Sequence, residues 1–293
     1  MPSSSILSEF TFTNLGPLTT TWTAPASCAT VTDDVKIGYS SYIGQAIWDL
    51  SCQVKENSCV PTGTSEDPAL VTGLSPTNFY QGAYFSPGLY CPSGWTTAGV
   101  ASRNGTQTVT SSGDPFSVTS AVPTSFDVPL MNNPANILMQ LLEPNETAIV
   151  CCPSSMTAGP FIGCYSTLPD YKISTACIDY VPSGDLQAVN QTFWYYGQTV
   201  VGKLYSLTGS VSLTDTQVVT FSPSQTSTLV AYSVLPFAAF IHKPADYPAT
   251  ATAAATSNAA VRMSSTKGSW DVMGILVVSI LGMALGAAIV LPV

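Results

Sequence analysis

The sequence predicts a mainly β fold: a disulfide-stabilised extracellular β-rich domain, followed by a disordered stalk and one C-terminal hydrophobic helix. Three observations support this prediction. Short runs of Thr, Tyr, Val, Ile and Trp alternate with Pro and Gly, which is typical of strands joined by turns. All eight cysteines lie before residue 178. The end of the chain, from Val272 to Val293, carries no charge.

These observations divide the chain into three segments. Residues 1–246 are expected to form the cysteine-rich, β-rich ectodomain. Residues 247–270 are rich in Ala, Ser and Thr and offer few large apolar side chains for a core, which predicts a stalk. Residues 271–293 are long enough, at about 1.5 Å per residue, to cross a hydrocarbon core of roughly 30 Å. They predict either a transmembrane helix or the signal for a glycosylphosphatidylinositol (GPI) anchor.

Within the ectodomain, residues 10–60 and 191–222 have the composition of short strands. Residues 132–146 place apolar side chains on one helical face and predict a short helix. Residues 228–244 are strongly apolar, but Pro236 interrupts them. We therefore expect a buried strand pair there and not a spanning helix.

The cysteines indicate an oxidising compartment. Their number is even, no C-x-x-C pair occurs, and the chain has a single histidine, so disulfides are favoured over a structural zinc site. The adjacent Cys151 and Cys152 are expected to bond to different partners, because a bond between them would strain the backbone. Sequence alone leaves the pairing open. The predicted disulfide cysteines are Cys28, Cys52, Cys59, Cys91, Cys151, Cys152, Cys164 and Cys177.

Three N-x-T sequons predict N-glycosylation at Asn104, Asn145 and Asn190. Together with the cysteines they favour a lumenal or extracellular domain. The opening residues lack the basic and apolar regions of a signal peptide. A tail-anchored protein with a cytosolic domain and reduced cysteines therefore stays open as an alternative.

The C-terminal segment has three possible fates. GPI attachment needs small residues, a polar spacer and an apolar end, and Asn258 with the residues after it supplies all three. Ser257 fits nearly as well as the attachment residue. A retained helix with the domain outside is the second fate, and a tail anchor is the third. For the third, Arg262 and Lys267 before the helix would place the domain in the cytosol.

Four stretches resemble a broad group of fungal cysteine-rich, membrane-tethered cell-surface proteins. YFSPGLYCPSGWTTAG (84–99) and AIVCCPSSMTAGPFIGCYS (148–166) are similar to that group's paired cysteine motifs. PLTTTWTAPASC (17–28) looks like its beginning, and residues 229–248 resemble the strand before its stalk. The resemblance implies an external domain tethered at the plasma membrane or cell wall, and it implies no catalytic residues.

The composition narrows the classes of partner and chemistry. Charged residues are 9% of the chain, the net charge is -9, and the eight Lys and Arg are scattered, so we expect no nucleic-acid partner. No catalytic, metal-binding or cofactor-binding motif is present, and His242 alone is a poor base for a catalytic triad. The carboxylates and tryptophans considered for sugar chemistry or stacking are Asp33, Asp34, Asp49, Glu143, Asp170, Asp179, Trp22, Trp48, Trp95 and Trp194.

The sequence thus predicts a non-enzymatic, glycosylated cell-surface protein with a structural or interaction role. Its expected partners are the membrane and a cell-wall polysaccharide. Two alternatives stay open: a membrane-associated accessory enzyme of a fungal biosynthetic pathway, which would act through carboxylates, and a carbohydrate-binding surface module. Both alternatives depend on residues that have a simpler interpretation. The carboxylates are expected to be surface charges, and the aromatic side chains are expected to be buried in the core.

Overall fold

The computed structural model describes residues 4–7, 10–26, 28, 35–41, 48–50, 59–63, 81–117, 125–130, 132–159, 163–180, 186–207 and 215–248. The chain divides into two units, Met1–Asn258 and Ala259–Val293, and all described residues belong to the first. The predicted mainly β architecture is confirmed. The predicted stalk and C-terminal segment lie outside the described residues, and among the described ones no helix is long and apolar enough to span a membrane.

Seventeen strands and two α-helices lie within the described residues. The strands are β1 Ser4–Leu7, β2 Phe10–Asn14, β3 Val35–Tyr39, β4 Trp48–Asp49, β5 Gln81–Tyr84, β6 Trp95–Arg103, β7 Thr110–Gly113, β8 Ser125–Leu130, β9 Glu146–Pro153, β10 Thr157–Gly159, β11 Gly163–Thr167, β12 Thr175–Tyr180, β13 Leu186–Tyr195, β14 Gln198–Leu207, β15 Asp215–Thr220, β16 Leu229–Leu235 and β17 Ala238–His242. The helices are α1 Pro134–Leu141 and α2 Pro223–Thr226.

Most strands form two seven-stranded layers. In sheet I, the ribbon β1-β2-β5 meets the ribbon β17-β9-β6-β7 at Phe85, whose N–H donates to the carbonyl of Ala239 and whose carbonyl accepts from the N–H of Ile241. Sheet II has the order β10-β11-β16-β3-β4-β12-β15. A smaller sheet, β13-β14-β8, consists of a long hairpin with β8 parallel to its second strand.

Helix α1 covers one face of sheet I and buries the largest apolar cluster. Asn133 caps its N-terminus by accepting from the N–H of Ala135 at 2.8 Å, and Pro134 follows as the first helical residue. Ile137 and Leu138 are fully buried against the sheet. Full burial of each such side chain stabilises the folded state by about 1.5–3 kcal/mol relative to leaving it exposed. The predicted helix is confirmed, and it ends shortly before Pro144, which disfavours helical backbone in the residue ahead of it.

Strand β9 has buried side chains on both of its faces. Successive side chains of a strand alternate between the two faces of the sheet. Ala148 and Val150 face the cluster that contains α1. Cys151 lies in a second cluster on the other face, with Phe85 and Phe240 stacked 5.6 Å apart.

The apolar stretch 228–244 forms β16 and β17, both buried, as the sequence predicts. The two strands do not pair with each other, however. Strand β16 joins sheet II beside β3 and β11, and β17 joins sheet I beside β9. Pro236 lies between them, where it donates no ladder hydrogen bond, and the chain there passes from one sheet to the other.

Three disulfides lie within the described residues: Cys28–Cys59, Cys91–Cys151 and Cys152–Cys164. The prediction that Cys151 and Cys152 bond to different partners is confirmed. Cys177 is also disulfide-bonded, and Cys52 lies outside the described residues. Among the described cysteines none is free.

A buried amide network fixes the β13–β14 hairpin to α1. The side chain of Asn136 accepts from the N–H of Tyr196 at 2.8 Å and donates to the carbonyl of Trp194 at 3.2 Å. Asn132 accepts from Asn136 at 2.7 Å, and Asn133 donates to the hydroxyl of Tyr196 at 2.7 Å. Because all three asparagines are buried, each of these bonds keeps a polar group from being left unpaired.

Removing the two disulfides of β9 separately is expected to have unequal effects. Replacing Cys91 and Cys151 by alanine opens a loop of sequence separation 60, and replacing Cys152 and Cys164 opens one of 12. Chain entropy predicts that the first pair costs about 4 kcal/mol and the second about 3 kcal/mol in free energy of unfolding. Urea denaturation of the two double variants measures this order, and the reverse order would contradict it.

Candidate functional site: a polar cluster where β17 ends

Ionisable side chains meet at one end of sheet I, where β9 begins and β17 ends. The register sets His242 of β17 opposite Thr147 of β9. This pairing brings Lys243, just after β17, beside two glutamates. Glu143 begins the turn that precedes β9, and Glu146 is the first residue of β9. We call Glu143, Glu146, His242 and Lys243 the β17-end cluster.

Glu146 is the buried member of this cluster, with 2% of its side chain exposed. Its Oε2 accepts from the backbone N–H of Glu143 at 2.8 Å. Burial raises the pKa of Glu146, and the repulsion from Glu143 adds to this, while the hydrogen bond from the Glu143 N–H and the charge of Lys243 lower it. Burial also raises the pKa of the nearby Tyr84, with further contributions from both carboxylates.

Lys243 stands between the two carboxylates. Its Nζ lies 3.1 Å from Oε2 of Glu143 and 3.6 Å from Oε1 of Glu146. The hydrogen bond to Glu143 is the main reason that the pKa of Lys243 is raised, and the charge of Glu146 adds to it. The backbone N–H of Lys243 donates to Asp246 at 2.6 Å, which holds the chain as it leaves β17.

His242 is buried and bonded through both ring nitrogens. Nδ1 lies 3.1 Å from the carbonyl oxygen of Gly88, and Nε2 lies 3.2 Å from the hydroxyl of Tyr247. The carbonyl can only accept, so Nδ1 carries the proton and Nε2 accepts from Tyr247. Burial lowers the pKa of His242, although the bond to Gly88 and the charge of Asp246 oppose this. A Cβ on Gly88 would lie 2.7 Å from the ring of Phe240, so the close approach requires glycine.

This arrangement suits an internal ion pair better than an acid–base pair. Glycoside hydrolysis needs two carboxylates with the substrate between them. Here the Lys243 ammonium occupies the position between Glu143 and Glu146. Sequence reasoning singled out Glu143 and His242 but missed Glu146 and Lys243, because the burial of Glu146 follows from where β9 begins. The E-x-x-E spacing around Pro144 is the only sequence signal that could have suggested it.

The other carboxylates considered from the sequence lie elsewhere. Asp49 forms an ion pair with Lys36 across β3 and β4 in sheet II. Asp170 is exposed in a turn, and Asp179 belongs to β12. Asp33 and Asp34 lie outside the described residues. Among the described residues, no group of His, Cys, Asp and Glu could hold a metal ion.

Trp48, Trp95 and Trp194 pack against other side chains. The ring of Trp48 makes edge contacts with Tyr39 at 5.4 Å and Phe221 at 5.2 Å between centroids. Trp95 packs against the two clusters that contain Cys151 and Cys152. Trp194 packs against the apolar cluster that contains α1, and Trp22 is partly buried.

All three sequon asparagines are exposed. Asn104 and Asn145 lie in neighbouring turns, where Oδ1 of Asn145 accepts from the N–H of Gly105 at 3.0 Å. Asn190 lies within β13. The predicted anchor residue Asn258 lies outside the described residues. Glycosylation and anchoring at these four positions stay predictions.

No family model matches this chain, no curated protein is significantly similar to it, and no solved structure matches its fold.

Replacing Glu146 by glutamine tests the electrostatics of the cluster. Glutamine keeps an oxygen that can accept from the Glu143 N–H but removes the buried charge. Because the pKa of Glu146 is higher in the folded chain than in the unfolded one, the wild type loses stability as pH rises above the ordinary carboxyl range. We therefore expect the free energy of unfolding of Glu146→Gln, relative to wild type, to increase from pH 4 to pH 7.

Urea denaturation at the two pH values measures this difference. Glu143→Gln, which removes a half-exposed carboxylate from the same cluster, is the matched control. A Glu146→Gln effect that is the same at both pH values would contradict the raised pKa.

His242 can be titrated directly, because it is the only histidine of the chain. The folded protein should show a ring-proton NMR titration midpoint below 6.5, and the wild type should lose stability as pH falls below that value. Tyr247→Phe removes the hydroxyl that donates to Nε2 and should raise the midpoint. A midpoint at or above 6.5 in the wild type would contradict the burial of His242.

Proposed function

We propose that this chain is a glycosylated cell-surface protein with a disulfide-stabilised external domain. It is tethered at the plasma membrane or cell wall through its C-terminal segment, and its role is structural or one of interaction. It is not proposed to catalyse a reaction. The observation that carries the proposal is the pair of disulfides that diverge from Cys151 and Cys152 in one buried strand.

These disulfides favour a compartment that oxidises thiols. Cys151 is 0% exposed and Cys152 is 1% exposed, so two reduced thiols would be buried side by side in β9. Disulfides persist in secreted and surface proteins, whereas the cytosol keeps thiols reduced. An external location follows most simply from a fold that is built around such bonds.

The resemblance to fungal surface proteins points in the same direction. The two cysteine motifs on which it rests, residues 84–99 and 148–166, are neighbours in space. Strand β6 of the first pairs with β9 of the second, and Cys91 bonds to Cys151. The motifs therefore form one structural unit, which supports treating them as a single signature.

The surface composition favours a protein that is hydrated by glycans and not by charged side chains. Charged residues are only 9% of the chain, and the sequon residues Asn104, Asn145 and Asn190 are all exposed. N-glycans would supply the hydration that other surfaces obtain from Lys and Glu. In the β17-end cluster, Lys243 forms ion pairs with Glu143 and Glu146 of the same chain, so we assign this cluster a structural role.

Mass spectrometry of the protein isolated from its own cells tests the proposal. We expect peptides linked by the three disulfides described above and glycan at one or more of the three sequons. We also expect a C-terminal peptide that ends near Asn258 and carries an ethanolamine-phosphate glycan remnant.

Other results have different meanings. Intact chains that extend to Val293, but with oxidised cysteines and modified sequons, would replace the lipid anchor by a retained helix and leave the external location standing. Reduced cysteines together with three unmodified sequons would refute the proposal and favour a tail-anchored cytosolic domain.

A further inference from the structure

The turn that follows β6 begins with Asn104 and Gly105, which form the only Asn-Gly dipeptide of the chain. Such a dipeptide can lose ammonia by a reaction within its own backbone. The amide nitrogen of the glycine attacks the side-chain carbonyl carbon of the asparagine. Glycine permits this approach best, because it has no Cβ and reaches backbone angles that other residues avoid.

The bonds that form and break in this reaction define its product. The nitrogen of Gly105 gives up its proton and bonds to Cγ of Asn104, while the bond from Cγ to Nδ2 breaks and ammonia leaves. Water then opens the cyclic imide at one of its two carbonyl groups. The product is aspartate or isoaspartate at position 104, and it carries a negative charge that the asparagine lacked.

The packing around this dipeptide leaves room for the reaction. Asn104 is exposed. A Cβ on Gly105 would meet no atom of the described residues within 4 Å, apart from its chain neighbours. Gly105 has a φ of 58°, in the left-handed region that favours glycine. Neighbouring side chains therefore do not shield the dipeptide, and any protection must come from a specific bond.

The side chain of Asn145 supplies that bond. The N–H of Gly105 donates to Oδ1 of Asn145 at 3.0 Å, and the N–H of Asn145 donates to the carbonyl of Arg103 at 2.7 Å. The first bond opposes loss of the proton that the attack requires, and the second holds Asn145 beside the turn. We propose that Asn104 is a deamidation site and that Asn145 protects it by holding the N–H of Gly105.

This role uses the side-chain oxygen of Asn145 and not its nitrogen. A backbone N–H can only donate, so the atom that faces Gly105 is Oδ1. A glycan on Asn145 would be attached to Nδ2, so glycosylation of Asn145 is compatible with the protection. On Asn104 the two modifications exclude each other, because a glycan would occupy the nitrogen that leaves as ammonia. The inference concerns chains without a glycan on Asn104, and it does not rest on the proposed function.

Two substitutions of Asn145 differ in the acceptor and suit the same backbone. Asn145 has a φ of 65°, which asparagine, aspartate and glycine adopt more readily than other residues. Asn145→Asp keeps an oxygen that can accept from Gly105, whereas Asn145→Gly removes the side chain. Both abolish the sequon at position 145, so a difference between them cannot come from a glycan there.

The experiment uses the full chain, produced with its disulfides in a eukaryotic host. Every sample carries Thr106→Ala, which abolishes the sequon of Asn104 but keeps the Asn-Gly dipeptide. The samples are Thr106→Ala alone and its combinations with Asn145→Asp and with Asn145→Gly. They are incubated at mildly alkaline pH, and peptide mass spectrometry follows the conversion of Asn104 into aspartate and isoaspartate. A reduced and denatured sample of Thr106→Ala gives the unprotected rate.

We expect folded Thr106→Ala and its Asn145→Asp combination to deamidate at similar, slow rates. The Asn145→Gly combination should deamidate about two- to tenfold faster, which is the range that loss of one hydrogen bond predicts. Equal rates for the Asp and Gly combinations would overturn the protection by Asn145. A denatured chain in which Asn104 stays unmodified would overturn the assignment of the site.

Peptide mapping of the disulfides in the same samples shows whether each variant has folded. If the Asn145→Gly combination does not fold, Thr106→Ala alone tests the protection. Its folded form should deamidate more slowly at Asn104 than its denatured form. Equal rates in the two forms would refute the protection.

Discussion

Two neighbouring residues of β9, Cys151 and Cys152, are the constraint on which the rest of the structure depends. Adjacent side chains of a strand point to opposite faces, so the two sulfurs reach different parts of the fold. Cys151 bonds to Cys91 in the apolar cluster below sheet I. Cys152 bonds to Cys164, which begins the pairing of β11 with β16 in sheet II. One interior strand thus links both sheets covalently.

The path of the chain around β9 follows from this constraint. Leu235 ends β16 in the cluster of Cys152 and Cys164, and within three residues the chain has entered β17 beside β9. The half-exposed ion pair between Lys243 and Glu143 contributes little to the stability, because exposed pairs are worth at most about 1 kcal/mol. Apolar burial on both faces of β9, together with the disulfides, provides the stability.

The sequence was sufficient for properties that depend on local pattern. Strand content, helix α1 and the divergence of Cys151 and Cys152 follow from residue types and from backbone geometry. It was not sufficient for long-range contacts. Nothing near Cys91 specifies Cys151 as its partner, since that pairing needs β6 to lie beside β9. Likewise, residues 228–244 were expected to form a buried strand pair, and only the sheet order shows that the strands on either side of Pro236 belong to different sheets.

The low content of charged residues also determines how the surface of the fold is hydrated. Most soluble domains use Lys and Glu both for hydration and to protect sheet edges. In this chain the polar surface is built of Ser, Thr and Asn, and these residues donate and accept hydrogen bonds without repelling a second copy.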